Sequence, residues 1–477
     1  MAIRISVIGA GPGGYVAALR AAALGAEVTV IEKEGAGGTC LNWGCIPSKI
    51  MKNSADLLEK MAHGDTFGLA VDGAVRVDME KLMERKQAVI ASQQKGIEGL
   101  LAKAGVTSLR GVAEIVKKGK IGVTNGDGDQ RVIEYDYCII ATGTVPMPIS
   151  AFPFDGKRII SSNDLLSLTH VPDSIAIVGG GVIGCEFAFI LSTLGSKVTL
   201  IEGRNRVLPL DSVDEECSKI LAREMKKKKI KVLTNRTVSG VKAGSESATL
   251  TIGPSPIAEN LNPKEQQEIT EEVEMVAFCI GRTPNSSGIG LEHTDVTVNE
   301  RGWIDVNDRM ETSDPTIYAI GDITGPERIM LAHVASAEAM VAAENIMGEE
   351  RLMDYSAVPN AIFTMPEVAS AGLTLKQALA QGLEAETHSV LFRAIGKAQV
   401  LAEISGQATI VSEKGEGRVL GVHIIGPHAT DLIAEGNLAI RKGLTAEDLA
   451  ETIHAHPTLA EVMAEVAHKA VGTPIHG

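Results

Sequence analysis

Two short stretches hold residues whose types and spacing could do chemistry. In GGTCLNWGCIPSK, Gly37 to Lys49, Cys40 and Cys45 stand five residues apart, in a chain with only six cysteines. Two thiols can close to a disulfide and, once reduced, deliver two electrons. In HAHPTLAE, His454 to Glu461, two histidines precede a glutamate. Free thiols titrate near about 8.5, so a histidine oriented by a carboxylate suits the making of a thiolate at neutral pH. Taken alone, two histidines at i and i+2 are more often surface or core residues than catalytic ones. No metal site is expected, because no second cysteine pair or histidine cluster has zinc-ligand spacing.

The elements that must position these residues form a repeat. ISVIGAGPGGYVAALRAAALGAEVTVIEK, Ile5 to Lys33, matches IAIVGGGVIGCEFAFILSTLGSKVTLIEG, Ile175 to Gly203, at a constant offset of 170. Gly9, Gly11 and Gly14 fall on Gly179, Gly181 and Gly184, Gly25 falls on Gly195, and Glu32 on Glu202. Each copy reads as strand, glycine turn, helix and a second strand ending in glutamate. The first glycine permits a tight turn, the second lets backbone approach a pyrophosphate, and the third lets helix and strand pack closely. The helix N-terminus offers N–H groups to phosphate, and the glutamate can accept from ribose hydroxyls. One GxGxxG alone could be an ordinary strand–helix turn. Two, with matched acids, predict two bound dinucleotides.

YDYCIIATG, Tyr135 to Gly143, reads as an apolar strand ending in glycine, and EMVAFCIGRTPN, Glu274 to Asn285, as a second of that kind. TIYAIGDIT, Thr316 to Thr324, ends in Gly321 and Asp322, where a carboxylate could accept from a bound polyol chain or cap the helix that follows. The polar stretch from Gly244 to Glu274 reads as a long hairpin loop. From about Arg351, strands precede helices, which predicts an α+β domain. The fold class expected is α/β, with two Rossmann-like dinucleotide-binding domains and a C-terminal α+β domain. The expected boundaries are 1–150 and 281–350 for the first nucleotide domain, 151–280 for the second, and 351–477 for the last.

The formal charge of −15 argues against a nucleic-acid-binding surface and suits basic partners. Cys138, Cys185, Cys217 and Cys279 are scattered, so a secreted disulfide scaffold is not expected. The expectation is a reducing compartment: the cytoplasm, or an organelle matrix after removal of a transit peptide. No membrane span is expected: Ile175 to Gly195, the most apolar run, carries three consecutive glycines and Glu186. The opening residues could pass for a signal peptide, but they read as the strand entering the first phosphate loop.

Zinc, two spectator thiols, a structural disulfide and a redox disulfide all compete for Cys40 and Cys45. In a regular helix five residues advance about 7.5 Å, whereas a disulfide holds its Cα atoms within about 6.8 Å. An oxidised pair therefore requires a distorted helix start, which Asn42, Gly44 and Pro47 permit. A strained bond is easily reduced and suits redox cycling. Beside a nucleotide with a redox ring, the pair fits FAD in the first fold and NAD in the second.

GGTCLNWGCIPSK is similar to the redox motif of the pyridine nucleotide–disulfide oxidoreductase family, and of its dihydrolipoamide dehydrogenases in particular. The resemblance runs from Ile5 to beyond Glu461. It implies that Cys40 is the interchange thiol meeting a dithiol substrate and Cys45 the thiol facing the flavin. It implies that Lys49 contacts the flavin and is ion-paired with Glu186. It makes His456 the base and Glu461 its partner, with His454 in a packing or supporting role. In that family the His–Glu element reaches the disulfide of the other subunit, so a homodimer with a shared active site is expected.

With the repeat, the resemblance places FAD on Gly9, Gly11, Gly14, Glu32, Lys49, Thr142, Gly143, Gly321, Asp322 and Ala332. NAD falls to Gly179, Gly181, Gly184, Glu202 and Gly281. The helix beginning near Leu331 is expected to aim its N-terminus at the flavin. Glu202 would repel a 2′-phosphate and favours NAD, although Arg204 and Arg206 stand close by. The activity implied is oxidation of protein-bound dihydrolipoamide with reduction of NAD; the alternative is a related FAD disulfide reductase for another thiol. A bound subunit without activity is the other class weighed. Mercuric reductases carry a C-terminal cysteine pair that GTPIHG lacks, and glutathione reductases resemble GGTCVNVGCVPKK instead. Expected partners are lipoyl domains and the acyltransferase core of 2-oxoacid dehydrogenase complexes, or the lipoyl protein of glycine cleavage. Trp43, within the motif, departs from an often aliphatic position.

Overall fold

A computed structural model describes residues 2–70, 72–259 and 261–476. Its contacts divide the chain into two units, Met1–Ile50 with Glu80–Pro148 and Gly281–Asp354, and Met51–Met79 with Ile149–Ile280 and Tyr355–Gly477.

The two copies of the repeat fold in the same register. In the first unit, strand Arg4–Ile8 lies parallel to Glu27–Glu32 on one side and Tyr137–Ile140 on the other, with Ile317–Ala319 and Thr107–Arg110 at the edges. In the second, Ser174–Val178 lies parallel to Lys197–Ile201 and Met275–Phe278, flanked by Lys231–Leu233 and Ile159–Ser161. Ile5 faces Tyr137 as Ile175 faces Met275. The strand in EMVAFC therefore stands in the second sheet where that in YDYCII stands in the first. These strands read as continuous apolar runs because parallel strands are covered on both faces.

Small residues set the helix packing. In the first unit, Ala17, Ala18 and Ala21 of helix Pro12–Ala23 share a core with Ala339, Ala342 and Ala343 of helix Ala332–Ile346. Alanines lose little side-chain entropy and let backbones approach closely. The helix predicted near Leu331 begins at Ala332, with Leu331 as its N-cap. In the second unit, helix Val182–Leu194 is buried along almost its whole length, Phe189 fully. The apolar run Ile175 to Gly195 is thus a strand, a turn and this helix. Among the described residues no helix is long and apolar enough to cross a membrane.

The stretch Gly244 to Glu274 is not the loop expected. Strands Ala248–Pro254 and Ile269–Val273 join Arg236–Ala243 in an antiparallel sheet. Ala248, Leu250 and Ile252 are fully buried while Thr249 and Thr251 are not. That alternation is the period of a half-buried strand, and the polar connection after it masks it in the sequence.

The last part is α+β, as its order of elements predicts. Five antiparallel strands run in the order Asn360–Ile362, Glu367–Gly372, Val419–Gly426, Gln407–Glu413, Ala385–Leu391. Ile433 of helix Ala429–Lys442, and Val462, Met463 and Val466 of helix Glu461–Ala470, share a core with Phe392, Ile410, Val422 and Ile424. Burying a Phe, Leu or Ile side chain stabilises by about 1.5–3 kcal/mol. This core therefore holds Glu461 at a fixed helix start.

Candidate redox and nucleotide sites

The first glycine turn can only be glycine. Gly9 has φ +100, and a Cβ there would lie 2.4 Å from the Ala141 carbonyl oxygen. A Cβ on Gly14 would lie 1.8 Å from the Gly9 carbonyl oxygen. Gly179 and Gly184 repeat these clashes, at 2.4 Å from the Cys279 oxygen and 1.8 Å from the Gly179 oxygen. Gly11 and Gly181 are N-caps without a side-chain bond, so the first-turn N–H groups point at whatever sits beyond. Gly181 has open space where a Cβ would go.

Both predicted acids close over their own turn. Glu32 accepts from Ala10 N–H at 2.7 Å and Glu34 N–H at 2.8 Å. Glu202 accepts from Gly180 N–H at 2.6 Å and Arg204 N–H at 2.7 Å. Arg206 is committed within its own unit: its guanidinium donates to Ser218 Oγ at 2.5 Å and to the Leu210 oxygen at 2.8 Å. Arg204 is exposed.

The cysteine motif lies against the first turn. Gly38 and Gly11 meet backbone to backbone, since a Cβ on Gly38 would lie 2.5 Å from Gly11 Cα, and Gly37 N–H donates to the Ala10 oxygen. Helix Gly38–Trp43 ends at Gly44, and a new helix, Cys45–Ala62, begins at Cys45. The distorted helix predicted for the pair is this break. Asn42 holds the short helix in place, donating to the Gly38 oxygen at 2.9 Å and accepting from Gln94 at 2.7 Å. Trp43 is 41% exposed, and its indole N–H donates to Glu34 at 3.2 Å.

Cys40 and Cys45 are not joined by a disulfide, and Cys45 is the more exposed. A hydrogen bond to Cys45, then burial, then the charge of Cys45 hold the proton on Cys40, while Lys49 opposes this. Lys49 stands four residues after Cys45, on the same helix face.

Polar groups of the first unit converge around the strand ends. Thr142 Oγ1 is buried with no hydrogen-bond partner in the protein, a vacancy that a bound polar molecule would satisfy. Asp322 follows Gly321 in a 3-10 turn, Gly321–Thr324. Burial raises its pKa against the opposing Thr144 bond and Arg282 charge. Buried Glu338 accepts from Gly321 N–H at 2.6 Å and fixes the turn. Arg282 donates to Thr144 Oγ1 at 2.6 Å and to the Thr144 oxygen at 2.7 Å, and Thr144 Oγ1 donates to Asp322 at 3.0 Å. Asn285 donates to the Thr142 and Gly143 oxygens. Arg282, Thr144, Asn285 and Glu338 escaped sequence reading; GRTPN was read only as the end of a strand. Ala332 opens its helix, and Gly281 lies in the first unit beside Met147.

In the second unit, Glu186 is buried on helix Val182–Leu194 and accepts from Phe363 N–H at 2.9 Å. His456 Nδ1 lies 2.8 Å from Glu461 Oε1, and Glu461 Oε2 accepts from Thr458 N–H at 2.9 Å. Burial would raise the Glu461 carboxyl. The bonds from His456 and Thr458 and the charges of His456 and His454 outweigh it and hold the carboxyl below its ordinary range. The ring of His456 is 77% exposed. With Nδ1–H held by Glu461, its Nε2 is the acceptor. His454 is enclosed instead, between the Thr452 oxygen and Glu435. The only clustered metal-type donors among the described residues are exposed Glu114, Glu292 and His293.

Family models match most of the chain. Residues 3–339 match pyridine nucleotide-disulphide oxidoreductase, and residues 358–467 match the dimerisation domain of that family. A dihydrolipoyl dehydrogenase of Chlamydia pneumoniae is 41% identical over 470 residues, 98% of this chain and 97% of the relative. One from Geobacillus stearothermophilus is 40% identical over 471 residues, 98% and 96% of the two chains. The crystal structure of LpdA from Mycobacterium tuberculosis superposes with a TM-score of 0.89 at 27% identity, covering 98% of this chain and 99% of that one. This chain is therefore a member of the pyridine nucleotide-disulphide oxidoreductase family.

Proposed function

We infer that the chain oxidises dihydrolipoamide to lipoamide and reduces NAD, through a redox-active Cys40–Cys45 pair. The observation that carries this is the cysteine pair, set across a helix break against a glycine turn, in a chain about 40% identical to dihydrolipoyl dehydrogenases over nearly its full length.

The residues fit both cofactors. FAD would be held by Gly9, Gly11, Gly14, Glu32, Lys49, Thr142, Gly143, Gly321, Asp322 and Ala332, in a domain of residues 1–150 and 281–350. The unpartnered Thr142 hydroxyl and the paired backbone approach at Gly11 and Gly38 support this. NAD would be held by Gly179, Gly181, Gly184, Glu202 and Gly281, chiefly in residues 151–280. Bound FAD supplies a two-electron acceptor, and NAD accepts hydride.

His456 Nε2 takes the proton of a substrate thiol while Glu461 holds Nδ1–H. The thiolate attacks Cys40, and the Cys40–Cys45 bond breaks. The second substrate thiol attacks the mixed disulfide, releasing cyclic lipoamide and leaving two reduced cysteines. Lys49 is proposed as the flavin-contacting lysine and Glu186 as its ion-pair partner. The dimerisation-domain match over residues 358–467 supports a homodimer built through residues 351–477. So does Ile453, 97% exposed next to His454. We propose lipoyl domains and the acyltransferase core of a 2-oxoacid dehydrogenase complex, or a glycine-cleavage lipoyl protein, as partners. The proposed setting is the cytoplasm or an organelle matrix.

The test is NAD reduction by free dihydrolipoamide and by a reduced lipoyl domain, using purified yellow protein. Turnover with both is expected; a flavoprotein inactive with both, yet active on another dithiol, would overturn the reading. Specificity for NAD should exceed that for NADP by at least about a hundredfold in kcat/KM. The fixed Glu202 carboxylate meets the 2′-phosphate at close range, where like charges cost several kcal/mol. Glu202→Ala should shrink the ratio by about tenfold or more. An unchanged ratio would remove Glu202 from that role.

A further inference from the structure

We propose that Ile257, on the turn Ser255–Ala258, is the wall against which the adenine of bound NAD lies, and so a determinant of nucleotide affinity. The proposal rests on the reading of the second glycine turn and Glu202 as the NAD site.

The turn is held in place at both ends of its loop. Strand Ala248–Pro254 leads directly into it. Ser255 is buried, and its N–H donates to the Asn235 oxygen at 2.9 Å. Asn235 N–H in turn donates to the Arg204 oxygen at 2.8 Å, and Arg236 N–H to the Glu202 oxygen at 2.9 Å. Through Asn235 the turn is therefore tied to the backbone that carries the ribose-facing acid. Asn235 has φ +58, a left-handed conformation that asparagine tolerates. The chain beyond the turn is anchored by buried Arg236, whose guanidinium donates to the Gln267 and Lys264 oxygens. Ala258 N–H closes the turn on the Ser255 oxygen at 3.2 Å.

Gly203 shows where the turn sits. A Cβ there would lie 3.0 Å from Ser255 Oγ and 3.5 Å from Ile257 Cδ1. The side-chain space of the residue next to Glu202 is thus filled from outside, by this turn. Ile257 is nevertheless 63% exposed. Lone exposed apolar side chains are ordinary. This one is set apart by being fixed, through backbone bonds, beside a carboxylate that faces a ligand.

The chemistry of the dinucleotide names the occupant. The pyrophosphate belongs at the helix N-terminus beyond Gly181, and the acid takes the hydroxyls of the adenosine ribose. One glycosidic bond separates that ribose from adenine. The base therefore lies on the outer side of Glu202, where Gly203 and the turn stand. Adenine offers a flat apolar face, and laying it on the Ile257 side chain removes both surfaces from water.

The test uses holoenzyme with FAD bound, so that the first nucleotide site is filled, and AMP as the probe. Binding is read by calorimetry. Ile257→Ser should weaken AMP by about fivefold and raise KM for NAD by a similar factor. Ile257→Phe should bind AMP at least as tightly as wild type, because an aromatic ring stacks on a base. Equal AMP affinity in Ile257→Ser and wild type would overturn the proposal. So would an Ile257→Phe protein as weak as Ile257→Ser, since the loss would then come from a displaced turn and not from a missing contact. A wild-type holoenzyme that binds neither AMP nor NAD would overturn the reading of the second glycine turn itself, and the proposal with it.

Discussion

Cys45→Ser should bind FAD normally, lack long-wavelength absorption on reduction, and lose dihydrolipoamide turnover by at least about a thousandfold. The glycine turn, Glu32 and the Asp322 turn are untouched by the change, so the cofactor cradle stays complete. What is lost is the second sulfur. Cys40 is left as a lone thiol that a substrate thiolate cannot attack, since no disulfide can close across the helix break at Gly44. Cys40→Ser is the informative partner. It removes the sulfur that meets substrate and leaves Cys45 on the helix that also carries Lys49. Turnover should fall as far, but the absorption should persist at neutral pH. If both variants keep the band, or both lose it, the assignment of roles within the pair is wrong.

His456→Gln should lower kcat/KM for dihydrolipoamide by about 10²–10⁴, the range of a lost general base. NADH oxidation by an artificial acceptor should stay near wild type, since it needs no substrate thiolate. Glu461→Gln should cost less, because the amide oxygen can still accept from Nδ1–H while the negative charge is gone. The sign with pH follows from the carboxyl. Its pKa lies below the ordinary carboxylate range, so the bond that orients His456 is present above that value. It is lost only as pH falls through it. A loss of turnover on mild acidification should therefore not come from Glu461, which is still ionised there. A His456→Gln enzyme with near-normal dihydrolipoamide kinetics would remove the dyad from the reaction.

Much of this was written in local pattern. The offset of 170 placed both glycine turns and both acids, because a strand–turn–helix that meets phosphate needs glycine at fixed spacings. The helix break was foreseeable from Asn42, Gly44 and the separation of two sulfurs. What was hidden depends on residues far apart in sequence. Arg282 and Thr144 are separated by 138 positions, and Thr144 and Asp322 by 178. No periodicity reports such bonds. Buried Glu338 looked like one more polar residue in an alanine-rich helix, yet it holds the Gly321 N–H. The strands within Gly244 to Glu274 were missed because their polar connection outweighed a correct alternation in ATLTI. Trp43, without an account in the sequence, gains a partner in Glu34, which ties the end of the short helix to the loop after Glu32.

The break at Gly44 has a mechanical consequence. Were Cys40 and Cys45 on one continuous helix running on to Ala62, drawing their sulfurs together would pull on the hydrogen bonds of the whole rod. With the break between them, the movement is taken up in the joint at Gly44. The long helix stays still and keeps Lys49 in register with Cys45. The pair can then behave as a charge store, filled and emptied many times, while the scaffold around it does not register the change.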